Sequence, residues 1–95
     1  MIWSRRARAD LNRLYQFLAS KSPAAARRAI ETIQTRIRLL DAHPRAGRPV
    51  GEDVSIDLRE WPIDFGNAGY VVLYHIADGE VTILTIRHQS EAGYD

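Results

Sequence analysis

The sequence contains no cysteine. Disulfides, thiolate metal centres and cysteine nucleophiles are therefore excluded, and a reducing, cytoplasmic setting is the expectation. No apolar stretch approaches the ~20 residues that a membrane-spanning helix needs. The opening MIWSRRARAD turns charged by Arg5 with no apolar segment behind it, so no secretory signal is expected. None of the glycines at 47, 51, 66, 69, 79 and 93 enters a helix as a phosphate-cradling loop would. No Gly-x-Ser-x-Gly nucleophile elbow is present. His43, His75 and His88 fall on a loop and two strands, so neither a metal site nor a cofactor is expected.

Lysine is almost missing too: Lys21 stands alone against twelve arginines. Arginine keeps its charge and forks onto carboxylates or phosphates, which fits an interface; a GC-rich genome gives the same bias. Net charge is only +1, but its distribution is uneven. Residues 1–50 hold eleven Lys/Arg against three Asp/Glu, a balance of +8, and residues 51–95 hold two against nine, a balance of −7. A basic N-terminal surface that meets an acidic partner is one reading. Arginines that merely solvate two helices are the other.

Ninety-five residues fit one domain over 1–95, with 45% of residues hydrophobic. Trp3, Ala7, Leu11, Leu14, Tyr15 and Leu18 form a stripe at helical spacing, with Ser4 as N-cap. Arg5, Arg6, Arg8, Asn12, Arg13 and Gln16 lie opposite. Ser22 and Pro23 open a second helix that runs to about Ala42, with Ala26, Ala29, Ile30, Ile33, Ile37 and Leu40 inward. Residues 43–53, HPRAGRPVGED, read as a loop. Val54, Ile56 and Leu58 alternate with polar residues as in a strand that Arg59 closes. YVVLYHI (70–76) and VTILTIRH (81–88) are strands about an Asp78-Gly79 turn, and a short strand at 1–3 is a further option. The expected fold is α+β: an N-terminal helical hairpin packed on a small antiparallel meander.

Pairing outward from the turn places His75 opposite Thr82 and His88 opposite Gly69 or beyond. Arg59, Arg87, His88 and Tyr94 would then converge at one end of the sheet. Arginines for charge on phosphorus and His or Tyr for proton transfer would suit a phosphodiester. Asp57, Glu60 and Asp64 crowd the same segment and repel an anion, and alternation puts Arg87 and His88 on opposite faces.

WSRRARADLNRLYQFLA, RIRLLDAHPRAGRP, DLRE, YVVLYHI and VTILTIRHQSEAGY, in that order over nearly the whole chain, resemble the RelE/ParE superfamily of bacterial type II toxins. The resemblance implies a toxin held in a hetero-oligomer by a cognate acidic antitoxin. Arg5, Arg8, Arg13, Arg27, Arg28 and Arg38 are then the expected antitoxin contacts. ParE-like members poison DNA gyrase; RelE-like members cleave mRNA on the ribosome with basic residues on the sheet. Ser55 and Asp57 stand where RelE-like proteins place lysines, and Val71 where they place an arginine. His88 falls near another of their arginines, and Tyr94 matches their terminal tyrosine. A ParE-like inhibitor is therefore expected, with Arg59, Arg87, His88 and Tyr94 as target contacts. The alternatives are an endoribonuclease using Arg59, His88 and Tyr94, and an inactive relic that only binds antitoxin.

Overall fold

The computed structural model describes residues 1–52, 55–65 and 68–89. The chain runs β1 (Ile2–Trp3), α1 (Arg5–Ala19), α2 (Pro23–Ala42), β2 (Arg48–Pro49), β3 (Asp57–Phe65), β4 (Ala68–Ala77) and β5 (Glu80–His88). Both helices start where their caps predict. Ser4 Oγ accepts the Ala7 N–H at 2.9 Å, and Ser22 Oγ accepts that of Ala25 at 3.2 Å. Pro23 takes the first helical turn, where a missing N–H costs nothing.

The strands form one sheet in the order β1-β5-β4-β3-β2. The expected meander β3-β4-β5 is antiparallel, while β1 pairs with β5 in parallel, so the sheet is mixed. Asp78 and Gly79 both hold positive φ, 52° and 75°, as a two-residue hairpin turn of this kind requires. Helices and sheet share one core, which includes Ala7, Leu14, Ile33, Ile37 and Leu40 from the helices and Ile63, Val72, Tyr74, Ile83 and Ile86 from the sheet.

Two sequence expectations need correction. The first long strand does not end at Arg59: it starts at Asp57 and continues to Phe65, with Ile56 ahead of it and Val54 outside the described residues. Pro62 lies inside this strand. It is tolerated because β2 pairs only with Arg59 and Glu60, so at Pro62 the strand is already an edge and needs no outward N–H. The ladder between β4 and β5 is also not continuous. Ile83 pairs with Tyr74 but Thr85 pairs with Leu73, so Leu84 is an extra residue and His88 lies opposite Tyr70, not Gly69. Strict alternation from Val81 would have turned Thr85 and Arg87 inward. The bulge restores phase and buries Ile86 instead.

α1 covers the β5 edge just past β1. Ser4 N–H donates to Ile83 O and Ser4 Oγ–H to Leu84 O, both at 2.9 Å. Ile86 N–H donates to Asp10 Oδ2 at 3.0 Å. Backbone groups that a sixth strand would otherwise pair are satisfied by two side chains of the helix unit.

Candidate functional site

The loop HPRAGRP, residues 43–49, is tied to the sheet from beneath. The Tyr74 hydroxyl, fully buried, donates to Pro44 O at 2.7 Å and accepts the Gly47 N–H at 2.9 Å. The Arg59 guanidinium donates through one Nη to Arg45 O at 3.0 Å and Gly47 O at 2.8 Å. Its Nε donates to Asp57 Oδ1 at 2.8 Å. Gly47 is the residue this approach demands: a Cβ there would stand 2.5 Å from the Tyr74 hydroxyl and 2.8 Å from Glu60 O. Burial raises the Tyr74 phenol above its ordinary value; the Gly47 N–H and the Arg59 charge oppose that shift without cancelling it.

Arg59 is therefore a brace, its side chain only 14% exposed, and it is not placed beside the other predicted site residues. Arg59 shares a cross-strand row with Tyr74 and Ile83, whereas His88 shares one with Tyr70 and Ile63. The two rows lie four residues apart along β4, about 13 Å at strand rise. His88 packs edge-on against the Tyr70 ring, 5.5 Å between centroids at 88°, on the helix-covered face. Arg87 pairs with Val71 and takes the opposite face. The expected convergence of Arg59, Arg87 and His88 does not occur, and Tyr94 lies outside the described residues.

The open face of the sheet presents cross-strand rows of Pro62, Val71 and Arg87, then Glu60, Leu73 and Thr85, then Leu58, His75 and Thr82. Glu60 is ion-paired with Arg48 of the neighbouring short strand. Of the cation positions compared in sequence, Asp57 is committed to Arg59 and Val71 sits on this open face. Among the described residues, no group of three His, Cys, Asp or Glu side chains is arranged to hold a metal ion.

The six arginines expected to meet an antitoxin are all exposed on α1 and α2. Arg13 lies 3.8 Å from the Asp10 carboxylate. Arg5, Arg8, Arg27, Arg28 and Arg38 form no ion pair among the described residues. Phe17, 58% exposed, is an apolar side chain on α1 under the Lys21 ammonium, which lies 4.6 Å from its ring centroid.

The Tyr74–Gly47 contact escaped sequence reasoning. A tyrosine inside an apolar strand was the available signal, because a buried hydroxyl needs a partner, and the nearby Pro/Gly loop could supply one. The role of Arg59 had no such signal, since a strand arginine next to an aspartate reads equally well as surface.

Comparison with known proteins gives a consistent result. The chain is 38% identical over 86 residues to Toxin RelE3 of Caulobacter vibrioides, covering 90% of this chain and 89% of that protein. It is 34% identical to Toxin RelE1 of the same organism, covering 90% and 88% respectively. A solved chain described as the chromosomal ParDE TA system from P. aeruginosa superposes with a TM-score of 0.73 at 25% identity, covering 90% of each chain. Residues 1–93 match the family model described as the ParE toxin of the type II toxin–antitoxin system parDE. With the helical hairpin, the sheet and nearly the full sequence in agreement, the chain belongs to the ParE toxin family of type II toxin–antitoxin systems.

Proposed function

We propose that this toxin acts as a protein inhibitor of DNA gyrase and is held inactive by an acidic antitoxin laid over its helical hairpin. The observation that carries the reading is the fate of Asp57 and Arg59. Cleaving a phosphodiester without a metal needs cations and a proton donor gathered on one surface. Here Asp57 stands in place of a cation, Arg59 is consumed in bracing a loop, and Arg87 and His88 diverge to opposite faces. The exposed arginines on α1 and α2 support the antitoxin part, since an acidic segment gains rate and register from such a surface. The test is pulse labelling of bacteria shortly after induction of this chain alone. Thymidine incorporation falls first and methionine incorporation holds if gyrase is the target.

The second reading is a ribosome-dependent endoribonuclease, and the RelE names of the Caulobacter relatives favour it. It assigns proton transfer to His88 and Tyr94 and requires methionine incorporation to fall first. His88→Ala or Tyr94→Phe would then abolish toxicity. A relic that only binds antitoxin would leave both labels unchanged.

A further inference from the structure

We infer that the braced loop 43–49, together with the groove beside it, is the surface that docks the target protein, through an acidic residue flanked by a bulky apolar one. This rests on the reading that the toxin acts on a protein. Five ordered contacts fix so short a loop: Tyr74 to Pro44 and Gly47, Arg59 to Arg45 and Gly47, and the Ala46 N–H to His43 O at 3.0 Å. All of them act on the backbone, so the side chains of His43, Arg45 and Arg48 are left to point outward and are exposed. A backbone held this firmly presents its side chains with little ordering cost on binding.

The charges on the loop are unequal in availability. Arg48 is committed to Glu60. Arg45 makes no ion pair among the described residues. Arg45 forms one wall of a groove whose apolar lining is Pro49, Val50, Ile56 and Leu58. Ile56 is 54% exposed, a large apolar side chain held at the mouth of this groove. A guanidinium next to an apolar slot matches a carboxylate next to an aliphatic or aromatic side chain, since arginine forks onto carboxylates and is enriched among the residues that carry binding energy. A nucleic acid fits less well. Glu52 and Asp57 line the same groove, so a run of phosphates would set each charge beyond the one Arg45 meets against a carboxylate. A lone side-chain carboxylate needs only Arg45, and its apolar neighbour faces Pro49, Val50, Ile56 and Leu58. The surface is also distinct from the helix arginines, so target and antitoxin would use different parts of the molecule.

The experiment compares four purified full-length chains: wild type, Arg45→Lys, Arg45→Glu and Ile56→Ser. Each is titrated into supercoiling by purified DNA gyrase and into translation of a reporter mRNA, with thermal melting followed by circular dichroism. Wild type is expected to inhibit supercoiling. Arg45→Lys stays within about threefold, while Arg45→Glu and Ile56→Ser need at least ~10-fold more protein, as one lost or reversed interface contact implies. Melting temperatures stay together, because both side chains are exposed. Supercoiling inhibited equally by wild type and Arg45→Glu overturns the docking surface and leaves gyrase as target. Wild type that blocks translation and spares gyrase overturns the protein-target reading and this inference with it. A loss on Arg45→Glu with no loss on Ile56→Ser removes the apolar half and leaves a simple charge contact, which also overturns the proposed partner chemistry.

Discussion

Tyr74 and Gly47 meet at a contact with no spare volume, and each supports a prediction at single-residue scale. Tyr74→Phe removes the hydroxyl and leaves the Pro44 carbonyl and the Gly47 N–H without it. The expected cost is about 1–3 kcal/mol, read from urea denaturation. Gly47→Ala places a methyl against the same oxygen and against Glu60 O, a backbone atom that cannot rotate away. It should cost as much or more, and combining the two substitutions should cost less than the sum, because Tyr74→Phe removes the nearest of the three atoms the methyl meets while the ring Cε1 and Glu60 O stay. Additive costs in that double-mutant cycle would mean that the loop is not held through this hydroxyl.

At the scale of elements, α1 is fastened to β5 through Ser4 and Asp10. Ser4→Ala deletes a helix cap and the bond to Leu84 O together, so its cost should reach about 1–2 kcal/mol, at the upper end for a cap. Asp10→Asn keeps an oxygen for the Ile86 N–H and should be milder than Asp10→Ala. Amide exchange at Ile86 gives a direct check, since only the alanine variant should speed it. Much of this level was legible beforehand. The two caps, the helical stripes and the Asp78-Gly79 turn rest on local chemistry, and local chemistry is written in adjacent residues. The extent of β3 and the register after Leu73 were not legible. Pro62 is permitted only because β2 is short, and the bulge at Leu84 exists only because Ile86 must be buried beneath α1. The convergence of Arg59 with His88 failed for the same reason: it depends on strand lengths that no neighbouring residue encodes.

For the whole molecule, charge and burial lead to opposite expectations about conditions. The exposed helix arginines should speed association with an acidic partner at low salt. Raising ionic strength from about 0.05 M to 0.5 M should slow association far more than dissociation, as stopped-flow mixing would show. Folding stability depends on different groups. Burial raises the phenols of Tyr70 and Tyr74 above the 10.0 of an unfolded tyrosine, so the folded chain retains protons that the unfolded chain gives up. That contribution is fully present below pH 10 and is lost as pH rises through the raised folded values. Denaturation midpoints should therefore hold on the approach to pH 10 and fall above it, and Tyr74→Phe should flatten the fall. A midpoint that climbs above pH 10 would reverse the sign and rule out both tyrosines as its cause.

The extra residue in β5 also acts as a half-step between two parts of the protein. Ahead of Leu84 the strand keeps time with the hairpin; behind it, with α1. Trimming Leu84 to alanine should be tolerated, because the backbone count is unchanged. Removing it altogether should not be, because every later position then trades sides: Arg87 enters the oily interior, Ile86 meets water, and Gln89, now lying across Gly69 on the uncovered side, departs beneath the helices. The face on which residues 85–89 lie thus hangs on a single codon.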